Sequence, residues 1–475
     1  MNTNAKTHNN AEAYEHSEDN LVEFFSKAGS LFVNKGTYYG DESSALELFK
    51  VAWRSNNEKS MQLAFWLRNC RGGAGNRSGF RAIINWLGTN HSEWVNSNIN
   101  LIPMYGRWDD LTHLYGTPCE EKALSLWAEA ILDSEPSVYG LACKWADRQD
   151  FRLRKFMELS PKTFRKLLVS KTNVVETLMC QKKWDDVDYN KVPSVAASRY
   201  NNAFSKHDQN RYMDWKASLA DPESGNKVNA GALFPHDVIR MVRNARYEQD
   251  STVNSLAEAQ FKAMPNFMEG TDARIMPIVD FSASMMQSVA GSIDAYDVAL
   301  ALGLYCSDAV GKDNPFWRKL IPFSSHSRLE SWNNMTLVDA IERIPNGYCG
   351  STDISQAFAI LLEAGKLFNV TNDQMPNMLL IMSDMQFDGG GVRNQTPVET
   401  AMKKWEEAGY TVPKIVYWNL AGYKNQPATC STKNVGLVSG FSPSIMKAVL
   451  GGDDFSPIGI MNRAIADYAV TNPNK

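Results

Sequence analysis

Ile275-Met-Pro-Ile-Val-Asp280-Phe-Ser-Ala-Ser284 decides how the chain is read. An unbroken apolar run ends in a carboxylate, and hydroxyls follow at alternate positions. The run has the length of a strand buried on both faces, and the Asp-x-Ser-x-Ser segment leaves it as a loop at the strand's carboxyl end. In an open α/β sheet ligands bind in that position. One carboxylate and two hydroxyls are hard oxygen donors, the set that a divalent cation prefers over nitrogen or sulfur.

Outward from this run, strands alternate with helices. Strands are predicted over 274–280, 317–324, 377–383, 413–420 and 434–438, and helices over 291–310, 336–344, 353–368, 397–409 and 442–450. Alternation on this scale implies a doubly wound α/β sheet with right-handed crossovers. Gly350-Ser-Thr352-Asp353 sets a threonine hydroxyl on a loop just before a helix. Leu379-Leu-Ile-Met-Ser-Asp384 is a second apolar strand ending in a carboxylate. Asp280, Ser282, Ser284, Thr352 and Asp384 are therefore expected to meet at one edge of the sheet and supply most of an oxygen shell for Mg2+, with Mn2+ or Ca2+ as substitutes. Asp and Ser after a strand also make Asx turns and cap helices, and for either serine alone that is the simpler reading. Asp353 is expected to cap helix 353–368 or to support a ligand. Asp388, in Asp388-Gly-Gly-Gly391, is expected to be a mobile loop residue beside the site. These glycines lack the GxxxxGK[ST] phosphate-loop pattern. No His, Cys or Lys is placed as nucleophile or base, so the expectation is binding and not catalysis.

The five positions resemble the metal-ion-dependent adhesion site of von Willebrand factor A domains, over residues 269–475. The resemblance implies that both serines bind the metal directly. The threonine and the aspartates would do so directly or through water, with an acidic group from a protein partner completing the shell.

Upstream the pattern changes to apolar residues three and four apart, as in Ala45-Leu-Glu-Leu-Phe-Lys-Val-Ala-Trp53, Met61-Gln-Leu-Ala-Phe-Trp-Leu67 and Phe80-Arg-Ala-Ile-Ile-Asn-Trp-Leu87. Similar helical segments recur at 101–115, 121–133, 136–147, 161–183, 194–220 and 234–266. Short helices in pairs suggest a HEAT-like solenoid over 19–268, although no crisp period emerges. Residues 1–18 lack an apolar face and are expected to be disordered.

Between Leu141 and Lys183 eleven Lys and Arg face four Asp and Glu, in a chain of net charge −4. Lys144, Arg148, Arg152, Arg154, Lys155, Lys162, Arg165, Lys166 and Lys171 form a concentrated basic face that would attract phosphate chains. Trp145, Phe151, Phe156, Phe164 and Trp184 are interleaved and could stack on unpaired bases. A solvated helix face over core aromatics explains the same pattern. Arg71-Gly-Gly-Ala-Gly-Asn-Arg77 reads in two ways. It is either a backbone nest for a phosphate, with Arg71 and Arg77 as RNA contacts, or a glycine helix cap followed by a tight interhelical turn.

The Arg71 loop, Tyr105-Gly-Arg-Trp-Asp-Asp110, Ser160-Pro-Lys-x-Phe-Arg-Lys-Leu-Leu168, Trp184-Asp-x-Val-Asp188, Val192-Pro-Ser194 and Leu233-Phe-Pro-His-Asp237 resemble a family that joins a helical TROVE-like module to a von Willebrand A domain. The layout is similar to that of the Ro ribonucleoproteins. This implies a ring of helical repeats that binds noncoding or misfolded RNA, closed by the A domain.

Composition bounds these readings. Hydrophobic residues make up 44% and charged residues 21%, as in globular proteins. The seven cysteines form no CxxC pair and the seven histidines are dispersed, so neither a disulfide framework nor a zinc site is expected. No apolar run is long enough to span a bilayer and the amino terminus is polar, so a cytoplasmic protein is expected.

Overall fold

The five apolar runs read as strands after residue 274 all form strands. β1 (Ile275–Asp280), β2 (Lys319–Phe323), β3 (Glu330–Ser331), β4 (Met378–Ser383), β5 (Lys414–Asn419) and β6 (Val435–Ser439) form one sheet in the order β6-β5-β4-β1-β2-β3. Neighbours are parallel except β3, which runs antiparallel to β2 at the edge. The computed structural model describes residues 4–31, 42–172, 174–219, 221–231, 233–247, 253–290, 293–344, 350–389, 395–422 and 425–475. Cys349, Gly390 and Gly391 lie outside the described residues.

Every residue of β1 and β4 is buried, which accounts for their continuous apolar sequence. Chain order reverses at β1: β2 and β3 lie to one side, and β4, β5 and β6 to the other. A crevice is therefore expected between the carboxyl ends of β1 and β4. The helix Ala295–Ala309 lies against β1, with Gly303 at the closest approach. A Cβ there would come within 2.6 Å of Val279 Cγ2. The five long strands match their predicted spans to within two residues. The two-residue β3 is too short to carry a pattern.

Among the described residues between 42 and 262 the elements are all helices, separated by turns. Glu42–Ser55, Asn57–Arg68 and Arg77–Asn90 pack on one another through Phe49, Phe65, Trp66 and Phe80. Their starts are fixed by side-chain caps, Asn56 accepting from Lys59 N and Asn76 from Gly79 N. Of the expected helical segments, 161–183 divides into Pro161–Lys171 and Val175–Cys180, and 194–220 into Ser194–His207 and Gln209–Ser218. The breaks fall at Thr172, whose hydroxyl bonds back to Leu168 O, and at Asp208, whose carboxylate takes Tyr189 and Arg211.

The amino terminus departs from expectation. Residues 4–18 are ordered: Ala5–Lys6 pairs with Glu12–Ala13, and the hairpin docks on the α/β region. Tyr14 and Gln426 exchange backbone hydrogen bonds at 2.9 and 2.8 Å, and Cys430 N donates to Ser17 O at 2.8 Å. Backbone pairing and burial of Ala11, Ala13 and Tyr14 replace the missing apolar face. The helix Asn20–Ala28 then packs on β6 and β5, where Ser439 Oγ donates to Phe25 O (2.6 Å) and accepts from Gly29 N (3.0 Å). Conversely, the carboxyl terminus lies on the helical region: Gln62 Nε2 donates to Tyr468 O (3.0 Å) and Asn98 Nδ2 to Thr471 O (2.9 Å). A boundary at residue 269 thus separates two patterns in sequence, while both ends of the chain cross it in space. Among the described residues no helix is long and apolar enough to cross a membrane.

Candidate metal and nucleic-acid sites

Asp280 is the last residue of β1, and Asp384 follows the neighbouring β4. The register aligning Val279 with Met382 brings both carboxylates to the crevice. Both are fully buried. Asp280 Oδ1 accepts from Ser282 N (2.9 Å) and its Oδ2 from Ser383 Oγ (2.5 Å). The Ser282 and Ser284 hydroxyls are 3.1 Å apart. Asp384 Oδ1 accepts from Gln386 N (3.0 Å), while its Oδ2 is buried with no hydrogen-bond partner among the described residues. Burial raises the pKa of both carboxyls, and the charge of Asp384 adds to the effect on Asp280. Two buried carboxylates that resist ionising together, flanked by hydroxyls, form a donor set that a divalent cation would relieve.

Thr352 is buried on the neighbouring loop, which is tied to the serine loop by Ala283 N to Gly350 O at 3.2 Å. Gly350 has φ +102°, and a Cβ there would lie 2.2 Å from Ser325 Oγ, so this turn accepts no side chain. Asp353 caps the helix Ile354–Leu367 through Ser355 N. Asp388 is not a loose loop residue. Its Oδ2 accepts from Thr352 N (2.8 Å), its own N donates to Thr352 O (3.0 Å), and it bridges to Asn10. The amino-terminal hairpin buttresses this loop: Thr7 Oγ1 donates to Phe387 O (2.7 Å), His8 N to Gln386 Oε1 (2.8 Å) and Gly389 N to Asn9 O (2.8 Å). Among the described residues no three His, Cys, Asp or Glu side chains gather in metal-binding geometry. A cation here would rest on two carboxylates and hydroxyls. Beside the loops runs a cleft of about 570 Å³ lined by Ser351, Asp353, Phe358, Leu362, Lys404 and Asp388.

The basic residues fall on three helices, Pro136–Trp145, Phe151–Phe156 and Pro161–Lys171, and the connections between them. Four of them are engaged within the protein. Lys144 pairs with Glu176 (3.7 Å) and Arg152 with Glu120 (2.5 Å). Arg154 Nη1 donates to Leu159 O (3.0 Å), and Lys171 Nζ caps Ile131 O and Asp133 O, both at 2.8 Å. Arg148, Lys155, Lys162, Arg165 and Lys166 are exposed, with no ion pair among the described residues. Of the interleaved aromatics, Phe164 is core and Trp184 stacks on His207, but Phe151 and Phe156 are 61% and 41% exposed. Arg154 and Lys155 lie over the Phe151 ring.

The Arg71 loop is not a phosphate nest. Arg71 N and Gly72 N donate to Asn69 Oδ1, Gly73 N to Asn69 O, Ala74 N to Trp66 O and Asn76 N to Leu67 O. The loop's amides close the preceding helix, and a Cβ on Gly73 would lie 1.9 Å from Trp66 O. The glycine cap and tight turn therefore describe this loop, with Arg71 and Arg77 exposed on it.

Residues 7–116 and 128–269 match the family model of a domain of unknown function, DUF2828, and residues 274–465 match that of a second, DUF7788. An uncharacterized protein, L728, of Acanthamoeba polyphaga mimivirus is 26% identical, across 98% of this chain and 88% of the viral protein. With more than half of its residues matched by the first of these models, the chain belongs to the DUF2828 family.

Proposed function

We propose that this protein is a non-enzymatic, cytoplasmic RNA-binding protein of the Ro type. Its helical region would be a TROVE-like, HEAT-like repeat array taking noncoding or misfolded RNA. Its α/β region would be a von Willebrand A-like domain holding Mg2+ at Asp280, Ser282, Ser284, Thr352 and Asp384. The observation that carries the RNA reading is the exposure of Phe151 and Phe156 on the face that bears Arg148, Lys155, Lys162, Arg165 and Lys166, cations with no ion pair among the described residues. Such a surface suits unpaired bases stacked on aromatic rings with their phosphates on Lys and Arg. The sheet order with its antiparallel edge strand, together with the unpartnered Asp384 oxygen, supports the A-domain reading. When bound, the cation would supply a fixed positive charge at the crevice.

Replacing both Phe151 and Phe156 by Ala tests the RNA reading. At about 1–3 kcal/mol for each stacked base, single-stranded RNA should bind at least roughly 30-fold more weakly at unchanged melting temperature. Equal affinity would reject the stacking surface. A second reading is a metal-dependent protein adaptor. It is favoured by the cleft beside Asp353 and Asp388, which has room for a partner's acidic segment. RNA binding that is absent while Mg2+ still stabilises the protein would select it.

A further inference from the structure

The Tyr105-Gly-Arg-Trp-Asp-Asp110 stretch folds into an arginine cluster that neither site above uses. Asp110 is fully buried. It accepts from Arg68 Nε (2.7 Å), Arg81 Nε (2.6 Å) and Arg107 N (2.9 Å). Asp109 accepts from Arg81 Nη2 (2.8 Å) and from Arg107 Nε (2.9 Å) and Nη2 (2.5 Å). Gly106 admits this arrangement, because a Cβ there would stand 2.5 Å from Asp110 Oδ2 and 3.1 Å from Arg68 Nε. Two carboxylates thus serve three guanidinium groups.

A fourth arginine, Arg77, stands one turn before Arg81 on the helix Arg77–Asn90, so the two share a face. Although its side chain reaches solvent, partial burial and the charges of Arg107, Arg68 and Arg81 disfavour its charged form, while Asp110 favours it. Arg77 has no ion pair or hydrogen bond among the described residues. Arg68 is only 3% exposed, yet its Nη2 has no hydrogen-bond partner among the described residues. A buried guanidinium nitrogen left unpaired is costly unless a ligand completes it. Among the described residues the cluster thus sets four guanidinium groups against two carboxylates, an excess of two positive charges, with one exposed donor fork and one buried unsatisfied donor. It also adjoins the basic face, since the Arg107 guanidinium lies 3.8 Å from the Trp145 ring centroid.

We infer that the cluster of Arg68, Arg77, Arg81 and Arg107 is a binding site for a terminal phosphate, the 5′-phosphomonoester of the RNA strand lying on the 144–171 face. A phosphomonoester approaches two negative charges at neutral pH, matching the excess of two. Guanidinium forks suit its oxygens in bidentate geometry. A backbone phosphodiester brings one charge and is matched less well. The inference rests on the RNA reading and sharpens it, because it assigns the strand an end and a polarity.

The test compares a short single-stranded oligoribonucleotide carrying a 5′-phosphate with its 5′-hydroxyl twin, on the full-length protein and on Arg77→Gln. The Arg77 side chain has no partner among the described residues, so this variant should melt like the wild type. The wild type should prefer the phosphorylated strand by roughly tenfold, and Arg77→Gln should close the gap by weakening only that strand. Equal affinities in the wild type, or a preference that survives Arg77→Gln, would overturn the inference and leave RNA binding standing. Binding of neither strand would overturn both.

Discussion

At the scale of residues, Asp280 bears two demands. It is fully buried beside a second carboxylate, and its oxygens are held by Ser282 N and Ser383 Oγ. In metal-free protein that arrangement is destabilising, since like charges in a dry crevice oppose each other's ionisation. Asp280→Asn should therefore raise the stability of the chelator-treated protein, by roughly 1–2 kcal/mol. The same change should abolish stabilisation by Mg2+. Melting curves with chelator and with Mg2+ check both halves, and a destabilised variant that still responds to Mg2+ would reject the role. The positions of Asp280, Ser282, Ser284, Thr352 and Asp384, at strand ends or on the loop before a helix, were legible in the sequence because apolar runs and turn residues mark those places. Ser383 was not, because its hydroxyl reaches Asp280 only through the pairing of β1 with β4. Asp388 was misread for a similar reason: its partners, Thr352 and Asn10, lie far along the chain.

Among elements, strands were the easiest to read, because burial on both faces writes a continuous apolar run. Helix breaks were harder. Thr172 and Asp208 end their helices through side-chain bonds that hydrophobic spacing does not register. The hairpin of residues 4–18 was invisible, since backbone pairing leaves little compositional trace. A junction between elements supplies a pH prediction. His236, at the start of the helix Pro235–Tyr247, is 5% exposed, stacks on Phe234 and meets Phe441, which follows β6, edge to face. Its Nδ1 has no hydrogen-bond partner, and burial holds its pKa below the ordinary 6.5. Asp237 favours the charged form and Arg240 opposes it. With the folded pKa depressed, the unfolded chain binds the proton first, so stability is lost as pH falls below 6.5. The slope contributed by this one group is at most about 1.4 kcal/mol per pH unit. His236→Phe keeps the ring contacts and should flatten that part of the profile in denaturant titrations at stepped pH. An unchanged slope would assign the acid sensitivity elsewhere.

For the whole molecule, the sequence divides near residue 269, but the chain does not fold as two beads. The amino-terminal hairpin and the helix Asn20–Ala28 belong to the sheet's surroundings, and residues 468–475 lie on the helical region. This return of both ends was not legible, since no local pattern encodes a partner hundreds of residues away. Removing residues 1–17 should loosen the Gln386–Gly389 loop and lower Mg2+ affinity about tenfold, as loss of supporting contacts does elsewhere. Calorimetric titration of the truncated protein would show it, and undiminished affinity would make the hairpin irrelevant to the site. The central claim concerns RNA, and its most direct measurement is the affinity of the full-length protein for single-stranded RNA as monovalent salt is raised. The logarithm of affinity should fall linearly with the logarithm of salt, and replacing Lys162, Arg165 and Lys166 by Gln should lower the slope by about 2. No binding at low salt, or a slope that these three substitutions leave unchanged, would contradict it.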